Sequence, residues 1–241
     1  LSPMCAFRNV KICLVFLGFL CLLFSSGFSE EEKKTAATSF PEIKKREDGK
    51  YSFGEIIIDR VDRKLEFQAT SNQVNGLVEY GLVHETGKTH ESLFRTKIRA
   101  KMLHASLLLL KLKPAKNFFD VVWSDQPRAH TFPESMLRAT AFWDENGTQK
   151  SVPLENLVTN YRQNRAITPN SMIFTGSKFI QGTYMAENSG SMLAIYLDDL
   201  AVINCFDFDN DNDDVWLANE TLMPPLETNV TLLFLLPDLK D

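Results

Sequence analysis

The sequence predicts an α+β domain, dominated by strands and hairpins, with one principal helix at about residues 97–112. Three observations carry that expectation. From Phe53 onward, short β-branched and aromatic runs recur between Gly, Asn, Asp and Pro. One segment, "KIRAKMLHASLLLLKLKP", instead joins strong helix formers to an apolar repeat of helical period. No internal repeat or change of texture splits residues 53–241, so a single domain is expected there.

Residues 1–29 read as a secretory signal peptide. Arg8 and Lys11 precede an apolar run of 13 residues, Ile12 to Phe24, and the small residues Ser25, Ser26, Gly27 and Ser29 follow. The run is shorter than the ~20 residues that span a bilayer, so cleavage is expected, with no membrane span left afterwards. Cleavage after Ser29 removes two bases and no acids, taking the net charge from −5 to −7. Such an acidic chain lacks the basic footprint of a nucleic-acid binder. Cys5, Cys13 and Cys21 would leave with the peptide. The remaining Cys205 can form no internal disulfide and no cysteine-ligated iron–sulfur cluster. Residues 30–52 mix charges of both signs and read as a disordered lead-in.

The elements then follow in order. "GEIIIDRV" and "RKLEFQAT" form a hairpin around Asp62-Arg63, and "LVEYGLVH" and "THESLFRT" form another around Gly87. That second hairpin would set Val83 opposite His90 and Leu82 opposite Glu91. In the helix, Thr96 can cap the start and Pro114 the end, with Ala100, Leu103, Leu107 and Leu110 on one apolar stripe. The run Leu107–Leu110 carries apolar character to nearly all sides and predicts heavy burial. Asn146-Gly147 marks a hairpin turn, and the remaining segments to "VTLLFLLP" read as strands.

Two groups of residues could carry chemistry. His90, Glu91 and Ser92, with His104 on the helix, could supply a general base or a zinc site, provided that helix packing brings His104 towards Glu91. The plainer reading is a polar knot that fastens the helix to the sheet. Strand alternation points His90 and Glu91 to opposite faces, and no HExxH is present, which opposes a simple zinc site. The second group is "DFDNDNDDVWLANE". Asp209, Asp211, Asp213 and Glu220 follow calcium-loop spacing, but Asp214 stands where the sharp turn wants glycine. A solvated acidic loop is the plainer reading there.

Glu79-Tyr80, His90-Glu91-Ser92-Leu93 and His104-Ala105-Ser106-Leu107-Leu108 together resemble the YdjY-like domain family of bacterial envelope proteins, as do the later "AFWDENG", "FTGSKF" and "MPPLETNVTLLFLLP". The resemblance covers about residues 53–237 and implies no established activity. Some members bear an iron–sulfur label that one remaining cysteine cannot support. Relatives close the helix with a glycine where this chain has Lys111, which leads us to expect a slightly longer helix ending at Pro114. The function expected is that of an exported, periplasmic or extracellular domain, non-enzymatic, with no cofactor, which binds an envelope protein, a polymer or a small ligand. The alternatives are an envelope enzyme or metal-binding protein using His90, Glu91 and His104, and a domain stabilised by calcium through residues 209–220.

Overall fold

The computed structural model describes residues 40–238; residues 1–29, read as a signal peptide, and residues 30–39 lie outside the described residues. Eight strands build the barrel: β1 (Lys64–Ser71), β2 (Tyr80–His84), β3 (Ser92–Thr96), β4 (Met136–Glu145), β5 (Met172–Phe174), β6 (Ser191–Ala194), β7 (Ile203–Cys205) and β8 (Asn229–Leu235). They pair in the order β1-β8-β4-β5-β7-β6-β2-β3, and β3 returns to β1. The sheet therefore closes into a barrel. Two of its pairings, β6–β7 and β2–β3, are parallel and the others antiparallel.

This corrects the α+β expectation. The helices are short: α1 (Ala100–Leu109), α2 (Phe118–Val122) and α3 (Met185–Ser189). None is a layer against the sheet; the fold is a strand-rich, mixed β-barrel. The misreading has a physical cause. Helical and strand periods are local, whereas closure depends on pairings such as Thr70 with Arg95, far apart in sequence.

The second hairpin also proves different. β2 and β3 run parallel, with Leu82 opposite Phe94 and Val83 opposite Arg95. Tyr80 to Val83 and Ser92 to Phe94 are all buried, as strands covered on both faces are. The chain must double back within residues 85–91. Gly87 and Gly190 make this possible by backbone contact, since a Cβ on Gly190 would lie 2.9 Å from the Gly87 Cα.

The first hairpin holds as expected, with Ile58 opposite Leu65. Ahead of it, Ile43–Lys45 and Tyr51–Phe53 extend the sheet, so ordered structure reaches into the segment read as a lead-in. Asn146 and Gly147 both adopt positive φ, the type I′ geometry that the right-handed strand twist favours. Leu65, Phe67, Ala139, Phe174, Leu232 and Phe234 meet Leu103 and Leu107 of α1 in one apolar core.

α1 is shorter than predicted because Lys111 closes it. Its φ of 61° is left-handed, and Leu112 N–H donates to Leu107 O at 3.0 Å while Lys111 N–H donates to Leu108 O at 2.8 Å. Arg63 Nη1 covers the carbonyl of Leu110 at 2.7 Å. At its start α1 has no side-chain cap; Thr96 Oγ1 instead accepts from Ile98 N–H at 3.3 Å. A lysine in this conformation carries strain that glycine escapes, so Lys111→Gly is expected to stabilise the fold by about 0.5–1 kcal/mol. A urea midpoint that falls instead would show that the lysine side chain outweighs its backbone strain.

Candidate functional site

The structure separates the predicted histidines. His90 and Glu91 lie on a single 3-10 turn, Thr89–Glu91, between the two parallel strands. The His90 side chain is 79% exposed, and its Nε2 is 3.5 Å from Glu91 Oε2. Lys88 Nζ is 3.8 Å from the other Glu91 oxygen and donates to the Tyr80 hydroxyl at 2.6 Å. Tyr80 in turn donates to Asp198 Oδ2 at 2.9 Å. Burial and the Asp198 carboxylate drive the Tyr80 hydroxyl far above its usual range, so it stays protonated. Ser92 is buried and spends its hydroxyl on Lys88 O at 2.5 Å. The knot therefore ties the strand crossover to the loop at Asp198, not the helix to the sheet. Neighbouring Glu79 has its pKa raised, by burial first and then by the nearby Glu91 carboxylate.

His104 stands on α1 among aromatics. Its Nδ1 is 2.7 Å from the Tyr184 hydroxyl, and its ring meets those of Phe174 and Tyr184 edge to face at 5.1 and 5.3 Å. Burial lowers its pKa and favours the neutral ring. Its partner is Tyr184, not Glu91.

The acidic loop is braced by amides and an arginine. Asp209 has a φ of 66°, and its carboxylate accepts from Asn160 Nδ2 at 3.0 Å and Gln163 Nε2 at 2.9 Å. Trp216 Nε1 donates to its backbone carbonyl at 3.0 Å. Buried Asp207 accepts both arms of Arg165, at 2.8 and 3.0 Å, and the backbone N–H of Thr168. Burial alone would raise the Asp207 pKa, but these donors outweigh it and the net shift is downward. Asp211, Asp213 and Glu220 are exposed. Among the described residues, no three His, Cys, Asp or Glu side chains gather as metal ligands do.

A third surface was not anticipated. Phe40, Pro41, Ile43 and Phe53 face Ala105, Leu108 and Leu109 of α1 across an open groove of about 560 Å³. Leu108 and Leu109 remain 47% and 43% exposed, against the heavy burial expected of the Leu107–Leu110 run. Ala100, Leu103, Leu107 and Leu110 are buried as the stripe required. One turn before Leu108, His104 touches Tyr184, whose ring lies 5.1 Å from that of Phe179. Phe179 and Ile180 belong to a small hairpin with Thr183–Tyr184, turned by Gln181 and Gly182 at positive φ. They are 70% and 45% exposed. The result is an apolar band from Phe40 across α1 to Phe179. Its one legible signal was a helix with more apolar residues than a single buried stripe uses.

The structure thus defines a closed mixed β-barrel domain with an apolar band across its helix. A family model for the YdjY domain matches residues 56–235, and the chain belongs to that family. No curated protein and no solved structure matches it.

The half-buried His104 makes a pH prediction. The fold holds the ring neutral, so the unfolded chain takes up the proton first as pH falls below the ordinary value of 6.5. Stability from this residue is therefore complete above that pH and lost on acidification. Melting temperatures at pH 8 and pH 5 should drop further for the native chain than for His104→Asn; equal drops would refute a half-buried neutral imidazole. Glu79 and Glu155, whose pKa values burial raises, act in the opposite sense but equally in both proteins.

Proposed function

We propose that this protein is an exported, non-enzymatic binding domain that engages an envelope protein, a polymer or a small ligand through the apolar band across α1. Export is supported by the order of basic, apolar and small residues over 1–29. The carrying observation is the exposure of six large apolar side chains, Phe40, Ile43, Leu108, Leu109, Phe179 and Ile180, by 43–70%. Chains of this size seldom leave such side chains contiguous unless a partner covers them. Covering six half-exposed side chains is worth roughly 5–9 kcal/mol before the costs of association, enough for useful affinity.

The polar residues support the same reading. Lys88, Tyr80, Asp198 and Ser92 spend their hydrogen bonds on one another or on backbone, which suits a brace better than a reacting centre. His90 and His104 have separate partners.

Anilinonaphthalene sulfonate, which brightens on apolar surface, tests the band in the native state. The folded chain should take up the dye below its melting temperature, and Leu108→Glu/Phe179→Glu should lose most of the signal. Both positions are exposed, so the double variant should melt within a few degrees of the native chain. His90→Ala should bind dye unchanged. A native chain that leaves the dye dark would defeat the reading.

A further inference from the structure

The apolar band is rimmed by cations, although the whole chain carries a net charge of −5. Lys101 Nζ lies 5.5 Å from the centre of the Phe40 ring. Exposed Lys45 stands two residues beyond Ile43, on the same face of its strand. Exposed Lys111 follows the last turn of α1; Lys178, just before Phe179, is paired with Asp199 and adds no net charge to the rim.

Among the described residues near the band, Glu187, Asp199 and Glu42 have cationic neighbours, while exposed Glu55 follows Gly54, which lies against Pro41. Glu187 is paired with Arg99 and accepts from the Lys101 backbone N–H at 3.1 Å. Asp199 is held by Lys178. Glu42 alternates to the face opposite Ile43, with its carboxylate 4.0 Å from Lys44. Six acids, by contrast, fall within residues 207–220.

We infer that this face docks on an anionic lipid bilayer. The inference rests on the reading of the band as a binding surface and puts a lipid bilayer there in place of a protein, polymer or small ligand. Shape supports lipid over a folded partner. A protein interface requires a complementary relief over a wide area, whereas this groove is shallow and open, and Phe179 and Ile180 project from a hairpin. Separate apolar side chains that enter the acyl boundary, with lysines around them reaching headgroup phosphates, need no such relief. Charge supplies the preference for anionic lipid, since each lysine near the surface raises partition by roughly fivefold.

The test is amide hydrogen exchange of the full chain, resolved by segment. It is measured alone, with phosphatidylcholine vesicles, and with vesicles of equal parts phosphatidylcholine and phosphatidylglycerol. Resolution by segment is needed because the apolar run Ile12–Phe24 can itself partition into vesicles. Exchange in 40–46 and 178–184 should slow by roughly fivefold on the anionic vesicles and far less on the neutral ones. Lys45→Glu/Lys101→Glu should erase the difference between the two lipids, and Leu108→Glu/Phe179→Glu should erase the protection itself. Unchanged exchange in those segments on a chain that sediments with anionic vesicles would overturn the inference. So would protection that grows with protein concentration without lipid, which would assign the face to a second copy. Dye uptake without lipid protection would defeat the lipid assignment alone; loss of both would defeat the binding surface as well.

Discussion

Everything in this fold depends on the seam where β1 meets β3. Thr70 pairs with Arg95 and Ser71 with Phe94, and these few ladder positions join the two ends of an otherwise open sheet. Without them β1 and β3 would each lose a neighbour and leave backbone donors and acceptors facing water. Side chains reinforce the join. Arg95 grips both oxygens of Glu227, at 3.0 and 2.6 Å, and donates to Asn72 Oδ1 at 3.0 Å. Asn72 Nδ2 in turn donates to the carbonyl of Ser92 at 3.0 Å. Segments more than a hundred residues apart are thereby held at one corner.

Closure demands a short parallel crossover, and two glycines supply it. The loop after β2 must reverse direction within a few residues and reach the start of β3. It does so by laying Gly87 against Gly190, an approach that any side chain at either position would obstruct. The Lys88–Tyr80–Asp198 chain then fastens the loop over the outer face of the barrel, where Tyr80, Val83, Ala194 and Ala201 form their own small core. Of the residues that carry the family resemblance, Tyr80 and Ser92 belong to this brace. Its chemistry is the mechanics of a difficult connection: a buried hydroxyl kept protonated, a lysine that satisfies it, and a serine that closes the turn.

The barrel buries one side of α1 and, among the described residues, leaves the other partly exposed. Leu103 and Leu107 are absorbed by the core, while Leu108 and Leu109 face a groove whose far wall comes from Phe40 and Ile43. His104 occupies the boundary. Its hydrogen bond to Tyr184 anchors the hairpin that carries Phe179. The same residue thus links the core to the surface.

Local features were legible in the sequence because local physics produces them. The turn at Asn146-Gly147 follows from positive φ, the hairpin at Asp62-Arg63 from strand patterning, and the α1 stripe from helical spacing. The acidic run was equally plain. Tertiary structure alone decided the closure of the sheet, the parallel direction of β2 and β3, the separation of His90 from His104, and the exposure of Leu108 and Leu109. Parallel and antiparallel neighbours can share one residue pattern when both faces are buried, so direction is set by the loop and its glycine contact. Lys111 shows the same limit within a single element: proline marked a plausible helix end at 114, but tertiary contacts at Arg63 and a left-handed backbone stopped the helix sooner. Which apolar side chains face water depends on what remains uncovered after the barrel closes, and that is a property of the whole chain.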